Sequence, residues 1–305
     1  MKLNKLILAG GTGFLGQAII NKFSASCNRI IVLTRGAERT DKNVTYLHWD
    51  GKTTGKWAEE IDGADVLINL TGKSVDCRYT AENKAEILSS RINAAKVLGI
   101  AVNNAQNPPK LWMNAASATI YRNAEDRAMD EYDGEYGSGF SVEVCKAWEK
   151  AFDDVVAPRT RKITIRISMV LGKGGGVMPV LKKLVKFGLG GTMGKGTQYI
   201  SWIHEEDFVN ALAFFIEHET SAGAYNLAAP DPMPNREFMA VMRKKMNRSI
   251  GLPAAEWMLE IGAFFLRTET ELILKSRRVV PTKLLKEGFV FVHPQTEEAL
   301  ENLLN

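Results

Sequence analysis

Cysteine is scarce. Cys27, Cys77 and Cys145 are three in 305 residues, too few and too widely spaced for a disulfide framework or a paired-cysteine metal knuckle. That usage fits a reducing compartment, so a cytoplasmic location is expected. The four histidines, His48, His204, His218 and His293, lie far apart with no HxxxH or HExxH spacing, and no metal site is expected. No basic stripe with interleaved aromatics accompanies the net charge of +4, which argues against a nucleic-acid partner. Long apolar runs are missing as well. The longest, residues 257–266, is about half of what a bilayer span requires and reads as an apolar helix packed in a small domain or at an interface. The short apolar run before Gly10 ends without a cleavage-type tripeptide, so it reads as a buried first strand rather than a leader. No membrane association is expected.

What is present is an ordinary globular composition, 45% apolar and 24% charged, with a strong rhythm. Apolar β-branched runs at 5–9, 29–34, 44–48, 66–70, 110–115 and 163–167 alternate with helical patterns at 15–23, 81–103 and 140–153. Such alternation predicts an α/β fold, a Rossmann-type doubly wound parallel sheet. After Gly172 the texture turns glycine-rich, then offers a helix at 205–217 and a strand at 224–228. The expected division is a dinucleotide-binding domain of residues 1–170 plus 204–228. Residues 171–203 plus 229–305 would form a smaller, mainly C-terminal substrate domain.

The first strand runs into Gly10-Gly11-Thr12-Gly13-Phe14-Leu15-Gly16, which opens the first helix. In that strand–turn–helix setting Gly10 permits a tight turn, Gly13 lets backbone amides approach a diphosphate, and Gly16 allows close helix–strand packing. The helix N-terminus adds oriented N–H donors and about half a positive charge. Gly10, Thr12, Gly13, Phe14 and Leu15 are therefore the expected diphosphate contacts. An NAD-binding protein usually carries an acid at the tip of the second strand. Here that strand ends Thr34-Arg35-Gly36, and Arg35, with Arg39 as a second donor, offers a guanidinium to a 2′-phosphate. NADP(H) is the expected cofactor. Leu70, Thr71 and Gly72 should border the dinucleotide, and Trp49 and Asp50 are candidates for its adenine end, with plain packing the alternative for Trp49.

These residues resemble the extended short-chain dehydrogenase/reductase superfamily. More closely they resemble its NAD-dependent epimerase/dehydratase-like "epimerase family" branch, sometimes labelled nucleoside-diphosphate-sugar epimerases or cell-division inhibitors. Further marks are Asn69-Leu70-Thr71-Gly72, Ser90-Arg91, Ala116-Ser117-Ala118, Glu143-Val144-Cys145 with Trp148-Glu149, Ser201-Trp202-Ile203-His204, and Pro281 with Gly288-Phe289. The resemblance runs nearly end to end and implies a cleft between a Rossmann domain and a small substrate domain. Reductases and epimerases of that superfamily use a Tyr and a Lys four residues later, on one helix face, to exchange a proton with substrate. A Ser or Thr at the end of the fifth strand holds the same oxygen, and Ser117 matches that role. The Tyr–Lys pair is missing. If Glu149 sets the helix register, Ser141 and Cys145 take the two places; if Lys146 sets it, Val142 takes the Tyr place. Tyr121, Asp76 and Arg78 are the remaining candidates for proton work or substrate contact, and Tyr121 also reads as a core aromatic. Arg91 could meet substrate, phosphate or a structural carboxylate. Cys145 reads as a small buried residue and His204 as a helix-start hydrogen bonder.

Two functions follow. One is an NADP(H)-dependent oxidoreductase or epimerase-like enzyme acting on a small molecule, with Ser117 and Tyr121 at the site. The other is a non-catalytic NADP(H)-responsive regulator or scaffold.

Overall fold

The structure, a computed structural model, describes residues 2–260, 269 and 271–305. Most of the long apolar tract, residues 261–266, falls outside the described residues. The chain opens with β1 (Leu3–Ala9), α1 (Phe14–Phe23), β2 (Cys27–Thr34), β3 (Arg39–Asp41), β4 (Val44–His48) and β5 (Val66–Asn69). It continues through α2 (Ala81–Asn104), β6 (Leu111–Ser117), α3 (Phe140–Asp153) and β7 (Arg161–Ile167). Then come β8 (Met169–Gly172), β9 (Gly175–Gly176), α4 (Met178–Lys186), β10 (Tyr199–Ile200), β11 (Trp202–His204), α5 (Glu205–Glu217), β12 (Gly223–Leu227), β13 (Met233–Pro234) and α6 (Asn235–Lys245).

Eight strands make one sheet in the order β12-β7-β6-β5-β1-β2-β4-β3, parallel except for β3 against β4. The strands are apolar on both faces because both faces are covered. On β1, Leu6 and Leu8 join a core with α1 and α5 residues such as Ile19 and Phe208, while Ile7 and Ala9 join a second core with Leu98 of α2 and Phe152 of α3. This is the doubly wound parallel sheet that the alternating runs predict.

A third core links α4, α6 and the helix Thr296–Leu304 around Trp202, which is fully buried. Trp202 donates its indole N–H to the Asp231 carbonyl at 3.0 Å and to Thr296 Oγ1 at 2.9 Å. Among the described residues no helix is long and apolar enough to cross a membrane.

The strand order decides where a ligand can sit. From β1 the chain builds outward through β2 and β4, then returns to add β5, β6, β7 and β12 on the other side. The connections leaving β1 and β5 therefore part in opposite directions, opening a crevice at their carboxyl ends.

Candidate functional site

The glycine loop stands at that crevice. Gly10 adopts φ +74° and donates its N–H to the Leu33 carbonyl at 3.0 Å. A Cβ on Gly10 would lie 2.9 Å from Thr71 Cα, so the turn requires glycine both by conformation and by room. Gly16 is pressed on the preceding turn, where a Cβ would lie 2.1 Å from the Gly11 carbonyl oxygen. Gly13 differs from both. It caps α1 without a side-chain hydrogen bond, is exposed, and a Cβ there would meet nothing within 4 Å. The N-terminus of α1 is thus open at Gly13, beside the exposed Thr12. The buried Thr71 hydroxyl has no hydrogen-bond partner among the described residues. These features fit a diphosphate. The Phe14 ring packs on Gly172, Gly175 and Gly176 of the β8–β9 hairpin.

The loop after β5 is fixed from below. Asn69, fully buried, donates from Nδ2 to Asn114 Oδ1 at 2.7 Å and accepts the Thr71 N–H on Oδ1 at 3.0 Å. The Leu70 N–H reaches the Ala9 carbonyl at 2.9 Å. Leu70, Thr71 and Gly72 are thereby held beside the Gly10 turn.

Arg35 is exposed immediately beyond β2, in a turn where Thr34 Oγ1 accepts the Gly36 N–H at 3.1 Å. Arg39 lies over the Tyr46 ring, 3.6 Å from its centroid. Lys73 holds the exposed Glu86 carboxyl below the usual range, and Arg35 and Lys52 add to that pull, so positive charge gathers along this edge. Trp49 is 4% exposed and stacked on Trp57 with ring centroids 5.1 Å apart, a packing position that leaves little of it for an adenine. Asp50 is committed to its own turn, accepting from the Lys52 and Thr53 amides at 2.8 and 2.9 Å, which hold its carboxyl low.

Next to the crevice lies a cavity of about 100 Å³ whose wall includes Ser117, Arg91, Tyr79, Ser141, Cys145 and Trp148. Ser117 ends β6; its Oγ accepts the Thr119 N–H at 3.2 Å and donates to Thr119 Oγ1 at 3.0 Å. Ser141 and Cys145 face this cavity, whereas Val142 lines a different one, and Lys146 points away to Glu143 and the Gly137 carbonyl. α3 thus turns a hydroxyl and a thiol, those of Ser141 and Cys145, to this cavity. Burial pushes the Cys145 thiol up to about 12, as suits a small packed residue rather than a nucleophile.

The cavity does contain a phenol, from an unexpected element. Tyr79, in the loop before α2, has its hydroxyl 3.4 Å from Ser141 Oγ, and Ser141 bonds the Glu271 carboxylate. Burial pushes the Tyr79 phenol up. No spacing in the sequence separates Tyr79 from other loop aromatics.

Tyr121, the other candidate acid, lies outside this cavity and lines a second one. Its hydroxyl is buried, accepts from Arg166 Nη1 at 2.8 Å and donates to Asn226 Oδ1 at 3.0 Å. Burial pushes it up to about 12. Arg166 also forks onto Glu149, with two bonds of 2.8 Å, so Tyr121 completes a buried network. Asp76 is exposed on its loop, and Arg78 lies 3.8 Å from Glu269. His204 caps α5, accepting the Glu206 N–H at 3.1 Å, with Nε2 3.2 Å from Asn302 Oδ1. Folding also brings Glu206 and His293 to it, the ligand-capable atoms of the three lying within 4.8 Å of one another.

The sequence pattern of the NAD dependent epimerase/dehydratase family matches residues 6–228. The chain belongs to that family. A second match, to a domain of unknown function (DUF1731), covers residues 254–303. The epimerase family protein YfhF of Bacillus subtilis (strain 168) is 32% identical over 302 residues, covering 98% of this chain and 97% of YfhF. The epimerase family protein ML0860 of Mycobacterium leprae (strain TN) is 33% identical over 296 residues, 96% of this chain and 93% of its own. Among solved structures, human epimerase family protein SDR39U1 (isoform 2), crystallised with NADPH, superimposes with a TM-score of 0.87 at 26% identity, covering 98% of this chain and 99% of that one. This epimerase-family chain thus has an NAD(P)-binding, Rossmann-like fold.

Proposed function

We propose that the chain binds NADPH in preference to NADH and acts on a small molecule as an oxidoreductase or epimerase-like enzyme. The observation that carries this reading is that the open α1 N-terminus at Gly13 and a cavity lined by Ser117 stand at the carboxyl ends of β1 and β6, with only β5 between them. Thr12, Gly13 and the amides of Phe14 and Leu15 would hold the diphosphate, with Gly10, Leu70, Thr71 and Gly72 shaping its bed. Arg35 would meet the 2′-phosphate, as its exposed place beyond β2 and the NADPH in the human relative both support. The bound nicotinamide would supply hydride exchange. Ser117 would orient the substrate oxygen, and Tyr79 is the phenol nearest to hand for the proton. We extend the reading to a cytoplasmic protein with residues 1–170 plus 204–228 as the cofactor-binding part.

One observation favours a second reading, an NADP(H)-responsive regulator: α3 presents Ser141 and Cys145 to the cavity, and no Tyr–Lys pair four residues apart. Single-turnover oxidation of bound NADPH, followed at its nicotinamide absorbance against a carbonyl panel, separates the two. Turnover that disappears in Ser117→Ala supports the enzyme. No turnover with any compound, together with NADPH-dependent affinity for a protein partner, supports the regulator.

A further inference from the structure

The cavity beside Ser117 is lined by apolar groups, Val75, Ile87, Phe140, Val144 and Trp148 among them, yet one of its wall residues carries a full charge. Arg91 projects from α2 beneath Gly72 and lies over the Trp148 ring, 4.8 Å from its centroid. Its Nη1 donates to the Lys73 and Ile87 carbonyls at 3.0 and 2.8 Å, which fixes the plane of the guanidinium. Nε and Nη2 have no hydrogen-bond partner, and no carboxylate pairs with the group, among the described residues. Arg91 is half-buried, and that burial lowers its pKa.

A half-buried guanidinium without a counter-charge is costly, and folded proteins often supply a partner. Two backbone carbonyls satisfy two of its N–H bonds but leave its charge uncompensated. The free edge, Nε–H with one N–H of Nη2, is the side-on fork that receives both oxygens of a carboxylate. We propose that the molecule bound in this cavity carries a carboxylate that seats on the free edge of Arg91, with a short apolar body against Val144 and Trp148 and an oxygen at Ser117. The ligand class is a small oxo or hydroxy acid. This rests on the small-molecule reading of the same site and adds the charge and size of the substrate.

Calorimetry on the full chain, with and without saturating NADPH, tests it with butyrate, 2-oxobutyrate and a panel of other three- to six-carbon carboxylic acids, and with butyramide as the neutral isostere. The expected result is heat with the carboxylates and none with butyramide. In Arg91→Gln carboxylate affinity should fall by about tenfold or more, while NADPH affinity stays within about twofold. Arg91→Lys, which keeps the charge and loses the fork, should fall in between. If neither variant folds, the Arg91 Nε–H resonance of the unsubstituted protein decides: it should shift with butyrate and not with butyramide. Absence of heat with every carboxylate overturns the proposal. So does an Arg91→Gln protein that loses NADPH and keeps carboxylate affinity, since the guanidinium would then serve a cofactor phosphate. Carboxylate binding without any NADPH heat would sink the dinucleotide reading and leave the Arg91 seat standing.

Discussion

Gly13→Ala should separate binding from folding. Gly13 has φ −84° and ψ −174°, extended backbone open to any residue, and a methyl there would touch nothing within 4 Å. Replacing glycine narrows the unfolded ensemble, a gain of about 0.4–1 kcal/mol. Alanine is a poorer N-cap than glycine, which offsets that gain by a similar amount. Stability should therefore change by no more than about 0.5 kcal/mol, a shift in Tm of about 2 °C or less. In the complex, the same methyl would stand between the α1 amides and the diphosphate. Losing one charge-assisted bond costs about 1.5–3 kcal/mol, or about ten- to hundredfold in Kd. Thermal denaturation followed by circular dichroism reads the first effect and calorimetry the second, and NADPH and NADH should weaken alike because both carry the diphosphate. Gly16→Ala is the contrast. Its Cβ would lie 2.1 Å from the Gly11 carbonyl oxygen, and such overpacking should cost about 1–3 kcal/mol in stability or more. Wild-type affinity for both nucleotides in a folded Gly13→Ala protein would refute the cradle.

Arg35→Ala should weaken NADPH by about 1.5–3 kcal/mol and leave NADH nearly unchanged; equal losses in calorimetry would remove the 2′-phosphate assignment. Tyr121→Phe strips an acceptor from Arg166 and a donor from Asn226, so denaturant titration should show a loss of about 1–3 kcal/mol, with NADPH affinity unaltered. An unchanged midpoint would contradict the buried network. His204 is pushed from 6.5 down to about 4, chiefly by burial and next by the neighbouring His293. Between those values the unfolded chain binds a proton that the folded chain refuses, so stability complete above about pH 6.5 declines as pH falls towards about 4. Tm measured across that window should drop in the wild type and drop less in His204→Asn; parallel profiles would rule the group out.

The elements that frame the site were legible because their signals are local. Residues 140–153 and 205–217 carry helical periodicity over several turns, and both helices appear with those bounds. The apolar runs of β1, β2 and β5 gave away a sheet covered on both sides. Short strands such as β9, of two residues, carry too few residues for a pattern; β9 pairs with β8, and the Phe14 ring from a distant part of the chain packs on that hairpin. The register of α3 was open for the same reason. Glu149 is oriented by Arg166 of β7, and that pairing turns Ser141 and Cys145 to the cavity. Tyr79 and Arg91 owe their significance to what folding brings beside them, and Trp49 lies against a partner, Trp57, that no motif joined to it.

Titration of NADPH into purified, cofactor-stripped, folded protein tests the central claim most directly. Saturable heat for one dinucleotide per chain is expected, stronger with NADPH than with NADH. No heat with either nucleotide, from protein whose folding is verified in the same sample, would contradict it.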